Sequence, residues 1–328
     1  MLEGKDLIIA TKPFGKENRF LSWFHTFVAF FLLTGVLVAA AVAPFLIMRI
    51  IASILAGFVF VRLFVIYHDY QHKSILQKSI VAKVIMYVYG LYSLAPASIW
   101  KRSHDYHHKH NSKLFSANIG SFPIMTKQKF LNSSVKDRRE YLMSRHPITI
   151  MLGFFSMFLI GMCVNSFRSN PRKHFDSLIA IVLHVGVAAL LFIYFGWQVW
   201  FFVWFLPFLI AFAIGAYLFY AQHNFPGVKF KDNTEWAYET AALESSSYMK
   251  MKAFMRWCTA NIGYHHVHHL NSRIPFYRLP EAMAKIPELQ HPKVTSFNIR
   301  DIIACFKLKL WDPEIQQMIG LDSLTLTT

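Results

Sequence analysis

Histidine is the residue type that distinguishes this sequence, because most of its 16 histidines fall into short clusters. The clusters read HxxxH once and HxxHH twice, and their members are His68 and His72; His104, His107 and His108; and His265, His268 and His269. A single histidine, His223, stands apart from these clusters and lies at the end of a long apolar stretch of the sequence. These nine imidazoles are the candidates for chemistry.

The spacing of the clusters suits metal binding. On a helix, residues three or four positions apart lie on one face, about one turn apart. His104 can therefore point at the same ion as His107 or His108, and His265 can do so with His268 or His269. Neutral imidazole is the commonest metal-binding side chain. Nine imidazoles exceed what one ion needs, so we predict two ions, and the residue types alone allow iron, copper or zinc.

Several neighbouring residues are weaker candidates. Asp69 and Asp105 each follow a cluster histidine and could orient a ligating imidazole through a hydrogen bond, or they could be solvated acids. Asn261 precedes His265 by one turn and could face the site. His110 and His266 do not fit the HxxHH spacing of the clusters beside them, so we predict that neither binds metal. The remaining histidines are predicted to be polar groups near the membrane boundary, and they are His25, His146, His174, His184 and His291.

Long apolar blocks must position these histidines. The chain is 55% apolar and only 16% charged, against about a quarter charged in an ordinary soluble protein. Residues 21–48 and 177–228 contain no Asp, Glu, Lys or Arg. A membrane span needs about 20 mainly apolar residues, and four segments qualify: residues 23–43, 50–67, 178–195 and 200–220. The sequence therefore predicts an integral membrane protein.

Charge decides the topology that we predict. Basic residues flank the apolar stretch 147–167 on both sides, whereas a true span has one basic end. We therefore predict that residues 147–167 and 84–100 form in-plane or re-entrant helices. Residues 1–20, 101–146 and 229–328 then share the cytoplasmic side. The predicted fold is an all-α protein with four transmembrane helices and a cytoplasmic helical cap, as one domain over residues 1–328.

The chain is strongly basic, with a net charge of +16. Nucleic acid is one partner of basic proteins, but cytoplasmic loops of membrane proteins collect Lys and Arg in the same way. We predict a membrane protein with no nucleic-acid partner. The three cysteines lie far apart and indicate neither a disulfide framework nor a metal site. The first apolar block is predicted to stay as an anchor, because no short basic region directly precedes it.

The motifs resemble those of the membrane fatty acid desaturase and hydroxylase superfamily, which carries HxxxH, HxxHH and HxxHH in this order. Residues 100–104 (WKRSH) resemble the opening of the second histidine box in methyl-end (Δ12 or omega-type) acyl-lipid desaturases. Residues 268–277 (HHLNSRIPFY) resemble their H-H-L-x-x-x-I-P-x-Y sequence, and Gln222-His223 resembles the site of an additional iron ligand. The first box departs from the usual H-D-C-G-H, because it reads H-D-Y-Q-H.

The resemblance implies a function and a cofactor. It implies four spans and two non-haem irons on the cytoplasmic face, bound by the nine histidines. The implied reaction is O2-dependent introduction of a double bond into a fatty acyl lipid chain. No segment resembles a fused cytochrome b5 domain, so a separate electron carrier of the ferredoxin or cytochrome b5 type is expected. The expected location is a bacterial inner membrane with the active site facing the cytoplasm.

Two other functions fit parts of the pattern. A di-iron hydroxylase or oxygenase of an acyl chain, an alkane or a carotenoid would share the same ligands, although residues 274–277 (IPFY) favour desaturation. A metal transporter would place ligands along a path through the bilayer midplane, whereas these clusters lie at the ends of the predicted spans.

Overall fold

The chain is mostly helical, and a computed structural model describes residues 2–114 and 120–327 of it. The α-helices are α1 Gly4–Thr11, α2 Arg19–Val42, α3 Leu46–Gln71, α4 Ile80–Tyr92, α5 Ala97–His110, α6 Lys127–Asn132, α7 Val135–Ser144, α8 Pro147–Met151, α9 Asn165–Ser169, α10 Phe175–Val199, α11 Leu206–Ala221, α12 Tyr238–Glu244, α13 Ala253–Cys258, α14 His265–Leu270, α15 Leu279–Lys285 and α16 Ile299–Lys307. Stretches of π-helix cover Phe154–Val164 and Trp200–Phe205, and 3₁₀ turns cover Lys12–Gly15, Phe276–Arg278, Pro287–Leu289 and Leu321–Thr327.

Three helical stretches among the described residues are long and apolar enough to cross a membrane, namely α2, α3 and the continuous run Phe175–Ala221. This run is not straight, because the ring of His184 lies 4.7 Å from the rings of both Trp204 and Phe208. The chain reverses at Gly196, which has φ 80° and ψ 171°. Only glycine adopts this conformation without strain. Helices α10 and α11 therefore lie antiparallel.

The long helices form a bundle with two different ends. At one end, Arg49 donates to Oε1 of Gln198 at 2.9 Å, so the turn between α2 and α3 lies beside the Gly196 turn. At the other end, α3 and α11 finish at the histidines. Helix α3 is central, because 67% of its 18-residue apolar segment is buried inside the protein, against 22% for the corresponding segment of α2. It packs against α2 on one side and α11 on the other.

Two shorter apolar segments accompany the bundle. Helices α4 and α5 meet at an angle of 91°, just before Pro96, whose lack of an N–H suits the start of a helix. The second segment comprises α8, the π-helix Phe154–Val164 and α9. A sharp bend and a short apolar helix are what in-plane or re-entrant segments require, and their orientation to the membrane stays a prediction.

The remaining chain forms a cap over the histidine end. The N-terminal segment joins it, because Arg278 donates to the carbonyl oxygen of Pro13 at 3.0 Å. The prediction of an all-α fold is wrong in one respect, since the cap contains two small sheets. Strand β1 (Met125–Thr126) pairs parallel to β4 (Leu310–Asp312), which pairs antiparallel to β5 (Gln317–Ile319), and β2 (Tyr248–Lys250) pairs parallel to β3 (Val294–Ser296). Strands of two or three residues are too short to show an alternating pattern.

Candidate metal centre

The nine candidate histidines converge from four elements. His68 lies in the last turn of α3 and His72 directly after it, while α5 and α14 carry the two HxxHH clusters and His223 lies in the turn after α11. Each of the eight box histidines is at most 9% exposed, and His223 is partly buried. Imidazoles are rarely gathered at this density in a protein interior. The bundle and the cap therefore enclose a histidine chamber.

The nine side chains divide into two groups, and within each group the candidate donor atoms all lie within 4.8 Å of one another. The first group is His68, His72, His104, His108 and His268, and the second group is His107, His223, His265 and His269. Each HxxHH cluster contributes to both groups, because neighbouring residues on a helix point about 100° apart. The i, i+4 pairs stay together, with His104 and His108 in the first group and His265 and His269 in the second.

The second group is a closed ring of four Nε2 atoms. The Nε2 atom of His223 lies 3.0 Å from that of His107 and 2.9 Å from that of His265. The Nε2 atom of His269 lies 3.1 Å from that of His265 and 3.3 Å from that of His107. These four nitrogens surround one point.

The first group has similar spacing. The Nε2 atom of His108 lies 3.2 Å from the Nε2 atoms of both His104 and His268. The rings of His72 and His108 are 4.5 Å apart, as are those of His68 and His268. The Nε2 atom of His72 is buried and has no hydrogen-bond partner among the described residues. An orphaned buried nitrogen at this place needs a cation or a proton donor.

The chamber fits two metal ions by distance and by tautomer. A metal–nitrogen bond of about 2.1 Å separates neighbouring ligands by about 3.0 Å at right angles and about 3.4 Å in a tetrahedron. The Nδ1 atom of His223 donates to the carbonyl oxygen of Ser245 at 3.0 Å, so its Nε2 atom presents a lone pair. His107 is held similarly through Nδ1, which lies 2.6 Å from the hydroxyl oxygen of Ser121.

Burial keeps these imidazoles neutral. It lowers the pKa of His223 to about 4. Burial and the neighbouring imidazoles lower the pKa of His265 and His269 well below the usual value. Neutral imidazole is the form that binds metal. At pH 7 the second group therefore offers lone pairs without first having to lose protons.

Asp69 supports the first group through two hydrogen bonds. Its Oδ1 atom accepts from Nδ1 of His68 at 3.0 Å, and its Oδ2 atom accepts from the backbone N–H of Phe276 at 2.7 Å. Asn261 donates from Nδ2 to the carbonyl oxygen of Phe276 at 3.1 Å, so it braces the same backbone segment. Asp105 instead pairs with Lys101, and its side chain is 41% exposed.

Asp69→Asn is expected to weaken metal binding about 10- to 100-fold, because the amide accepts more weakly from Nδ1 of His68 and can present a donor instead. Titration of the metal-free protein with Co2+, followed by absorption, measures this. Asp105→Asn is the matched control and should bind as the wild type does. Equal losses in the two variants would contradict the role assigned to Asp69.

The other histidines lie outside the two groups. The Nε2 atom of His266 is 3.1 Å from the carbonyl oxygen of Leu289, and the Nδ1 atom of His110 is 3.0 Å from the carbonyl oxygen of Tyr106. His146 and His291 are exposed. His174 and His184 are buried side chains, 3% and 1% exposed, and they hydrogen-bond to Ser98 and Tyr92. Their position at the membrane boundary stays a prediction.

An apolar cavity of about 550 Å³ runs from the chamber into the bundle. Its histidine end is lined by His68, His104 and His265. Its walls come from one face of α3, one face of α11, the π-helix Phe154–Val164 and parts of α4 and α5. Aromatic side chains make up much of the wall, and they include Phe60, Phe64, Tyr89, Trp100, Phe158, Phe208, Phe212 and Phe219. This volume is typical of a small-molecule site. The cavity can bring an apolar chain to the metal groups.

Sequence reasoning missed the residues that support the second group. Ser121 and Ser245 are ordinary polar residues in the sequence, and nothing in their spacing relates them to His107 or His223. Ser121 lies 14 residues after His107, and Ser245 lies 22 residues after His223. Both serines lie outside the helices and strands. The residues of the cavity wall likewise form no motif in the sequence.

The chain is similar in sequence to proteins named as desaturases. A fatty acid desaturase of Bacillus subtilis (strain 168) is 29% identical over 309 residues, which are 94% of this chain and 87% of that protein. An sn-1 oleoyl-lipid 12-desaturase of Synechocystis sp. is 24% identical over 69% of this chain and 64% of that protein. An sn-1 acyl-lipid omega-3 desaturase (ferredoxin) of Nostoc sp. (strain 36) is 25% identical over 71% of this chain and 66% of that protein.

A family model described as fatty acid desaturase matches residues 44–300. The matched region contains all nine histidines of the two groups, together with the walls of the cavity. It covers well over half of the chain. The chain therefore belongs to the fatty acid desaturase family.

Proposed function

We propose that the chain is an O2-dependent desaturase that introduces a double bond into a fatty acyl chain at a di-iron centre. One observation carries the proposal: two groups of buried histidine nitrogens meet the end of an apolar cavity. Family membership supports it, because the relatives carry the names of desaturases, which are oxidoreductases.

The proposed ligands are His68, His72, His104, His108 and His268 for one iron and His107, His223, His265 and His269 for the other. Bound iron would activate O2, which is the oxidant for removing two hydrogens from unactivated methylene groups, a reaction that amino-acid side chains cannot carry out. The protein supplies the geometry. Asp69, Ser121 and the carbonyl of Ser245 fix ring orientations, and the apolar cavity excludes water and holds the acyl chain.

The proposed substrate is an acyl lipid. The relatives include proteins named oleoyl-lipid 12-desaturases and omega-6 desaturases, and residues 268–277 resemble that subgroup. These names favour desaturation over hydroxylation, which would use the same ligands. A metal transporter is disfavoured, because the histidines gather at the ends of the long helices rather than along them.

We also propose a topology of four spans formed by α2, α3, α10 and α11 within a single domain. The pairing of Arg49 with Gln198 supports it, because it joins the two turns that would lie outside. The basic cap and the histidine chamber would then face the cytoplasm, in a bacterial inner membrane. A separate carrier would deliver electrons, and one relative bears the word ferredoxin in its name.

Cysteine labelling from outside the cell tests the topology. In a background without the buried Cys163, Cys258 and Cys305, we expect an impermeant maleimide to label Phe45→Cys and Trp197→Cys, because these side chains are 65% and 60% exposed at the two turns. Thr234→Cys and Glu314→Cys, on exposed positions of the cap, should react only after the cells are opened. External labelling of the cap cysteines would contradict the four-span topology.

Expression in a host that lacks polyunsaturated lipids tests the function. Methyl esters of the cellular fatty acids should contain a new unsaturated product, and the purified protein should contain about two irons per chain, as the two groups of ligands imply. A hydroxylated product would favour the oxygenase alternative. One zinc and no iron would contradict the di-iron proposal.

A further inference from the structure

Arg145 is a buried charge that the proposed chemistry does not use. It follows α7, none of its surface is exposed, and it is among the largest fully buried side chains. Among the described residues its hydrogen bonds go to carbonyl, amide and hydroxyl oxygens and not to a carboxylate. Burial of a cation without a counter-ion is costly. The hydrogen bonds of Arg145 therefore show what this costly side chain holds in place.

One arm of the guanidinium reaches the turn that carries His223. The Nη2 atom of Arg145 donates to Oδ1 of Asn224 at 2.6 Å, and Asn224 directly follows His223. The Nδ2 atom of Asn224 in turn donates to the carbonyl oxygen of Cys305 at 2.7 Å. Asn224 is 2% exposed, so this contact is isolated from water. The turn after α11 is therefore tied to Arg145.

The other arm reaches the segment that supports His107. The Nη1 atom of Arg145 donates to the carbonyl oxygen of Pro123 at 2.9 Å. Pro123 lies two residues after Ser121, whose hydroxyl oxygen is 2.6 Å from Nδ1 of His107. His107 lies in α5 and His223 lies in the turn after α11, yet their Nε2 atoms are 3.0 Å apart. Arg145 is therefore hydrogen-bonded both to the segment that contains Ser121 and to the residue that follows His223.

We infer that Arg145 is a positioning residue for the second group, where it sets the separation of His107 and His223 across the ends of α5 and α11. This inference rests on the proposed di-iron function. None of the hydrogen bonds recorded for Arg145 reaches a residue beside a first-group histidine. Loss of Arg145 should therefore empty the second group and spare the first.

Iron content measures this selectivity. We expect Arg145→Met, purified in detergent, to retain about one iron per chain where the wild type holds about two, since loss of an outer contact weakens a metal site about 10- to 100-fold. Arg139→Met is the control, because Arg139 is exposed on α7, the helix that Arg145 directly follows. Gel filtration should show the same monodisperse peak for all three proteins.

A variant with a disabled first group shows which of the two groups loses its iron when Arg145 is replaced. His104→Ala with His108→Ala disables the first group, so the remaining iron occupies the second group. Arg145→Met added to this background should leave almost none. If the two changes instead act on the same site, the combined variant keeps about one iron.

Asn224 provides the test that does not depend on Arg145 variants folding. Asn224→Asp keeps an oxygen acceptor for the guanidinium but loses the Nδ2 donor to the carbonyl oxygen of Cys305. It should therefore retain more iron than Asn224→Leu, which removes both contacts and should behave like Arg145→Met. Two irons in Arg145→Met and Asn224→Leu would overturn the inference, and so would loss of both irons together. A wild-type protein without iron would instead overturn the proposed function.

Discussion

His223→Ala is expected to abolish formation of the unsaturated product while the protein is still expressed and inserted in the membrane. His223 supplies one of four Nε2 atoms in the second group, and it lies within 3.0 Å of two others. Its removal leaves three histidine nitrogens in the second group and opens one coordination position at the proposed iron. Loss of a direct ligand should exceed the about 10- to 100-fold effect of an outer contact. Fatty acid methyl ester analysis measures the product.

The control for this prediction is His291→Ala, because His291 is exposed in the cap and should tolerate the change. His174 is unsuitable as a control, since it is 3% exposed and its Nδ1 atom lies 2.9 Å from the hydroxyl oxygen of Ser98. Near-normal activity of His223→Ala would show that the second group functions with His107, His265 and His269 alone. The assignment of nine ligands would then be wrong.

The histidine clusters show what spacing can predict about a site. The i, i+4 and i, i+3 positions were enough to predict that each cluster faces a common site, and the structure brings all nine imidazoles together. Spacing could not decide whether His104 pairs with His107 or with His108. That choice depends on how α5 is rotated against α3, α11 and α14, which is a property of tertiary packing.

The two aspartates illustrate the same limit. Asp69 and Asp105 each follow a cluster histidine, so the sequence offers no reason to prefer one. They differ because the backbone of Phe276, 207 positions further along the chain, donates to Asp69. Lys101, only four positions away, pairs with Asp105 at the surface. A long-range contact decides which carboxylate supports the site.

The long helices were predictable from charge, and their ends were not. The charge-free residues 177–228 led to two predicted spans at 178–195 and 200–220, and the structure has a reversal at Gly196 between them. By contrast, the predicted span 50–67 belongs to a helix, α3, that continues to Gln71. Helix α3 extends because His68 and Asp69 are satisfied by the chamber, a contact that hydropathy does not register.

Gly215→Phe is expected to reduce product formation about 100-fold without loss of iron. Gly215 lines the cavity, and a Cβ atom placed there would meet no atom within 4 Å. A phenyl ring would therefore enter the space that we assign to the acyl chain. Each displaced methylene group costs about 0.8 kcal/mol of binding, so displacement of about four costs about 3 kcal/mol, or about 100-fold.

The chain offers a matched control for this change. Gly186 lies on α10, where a Cβ atom also meets nothing within 4 Å, but among the described residues it is not part of the cavity wall. Gly186→Phe should leave the yield of unsaturated product unchanged. Gly215 precedes His223 by eight residues, about 12 Å along a helix, so we expect a ring there to leave the iron content at the wild-type value. Retained iron with lost product places the acyl chain in this cavity, whereas normal activity of Gly215→Phe would place it elsewhere.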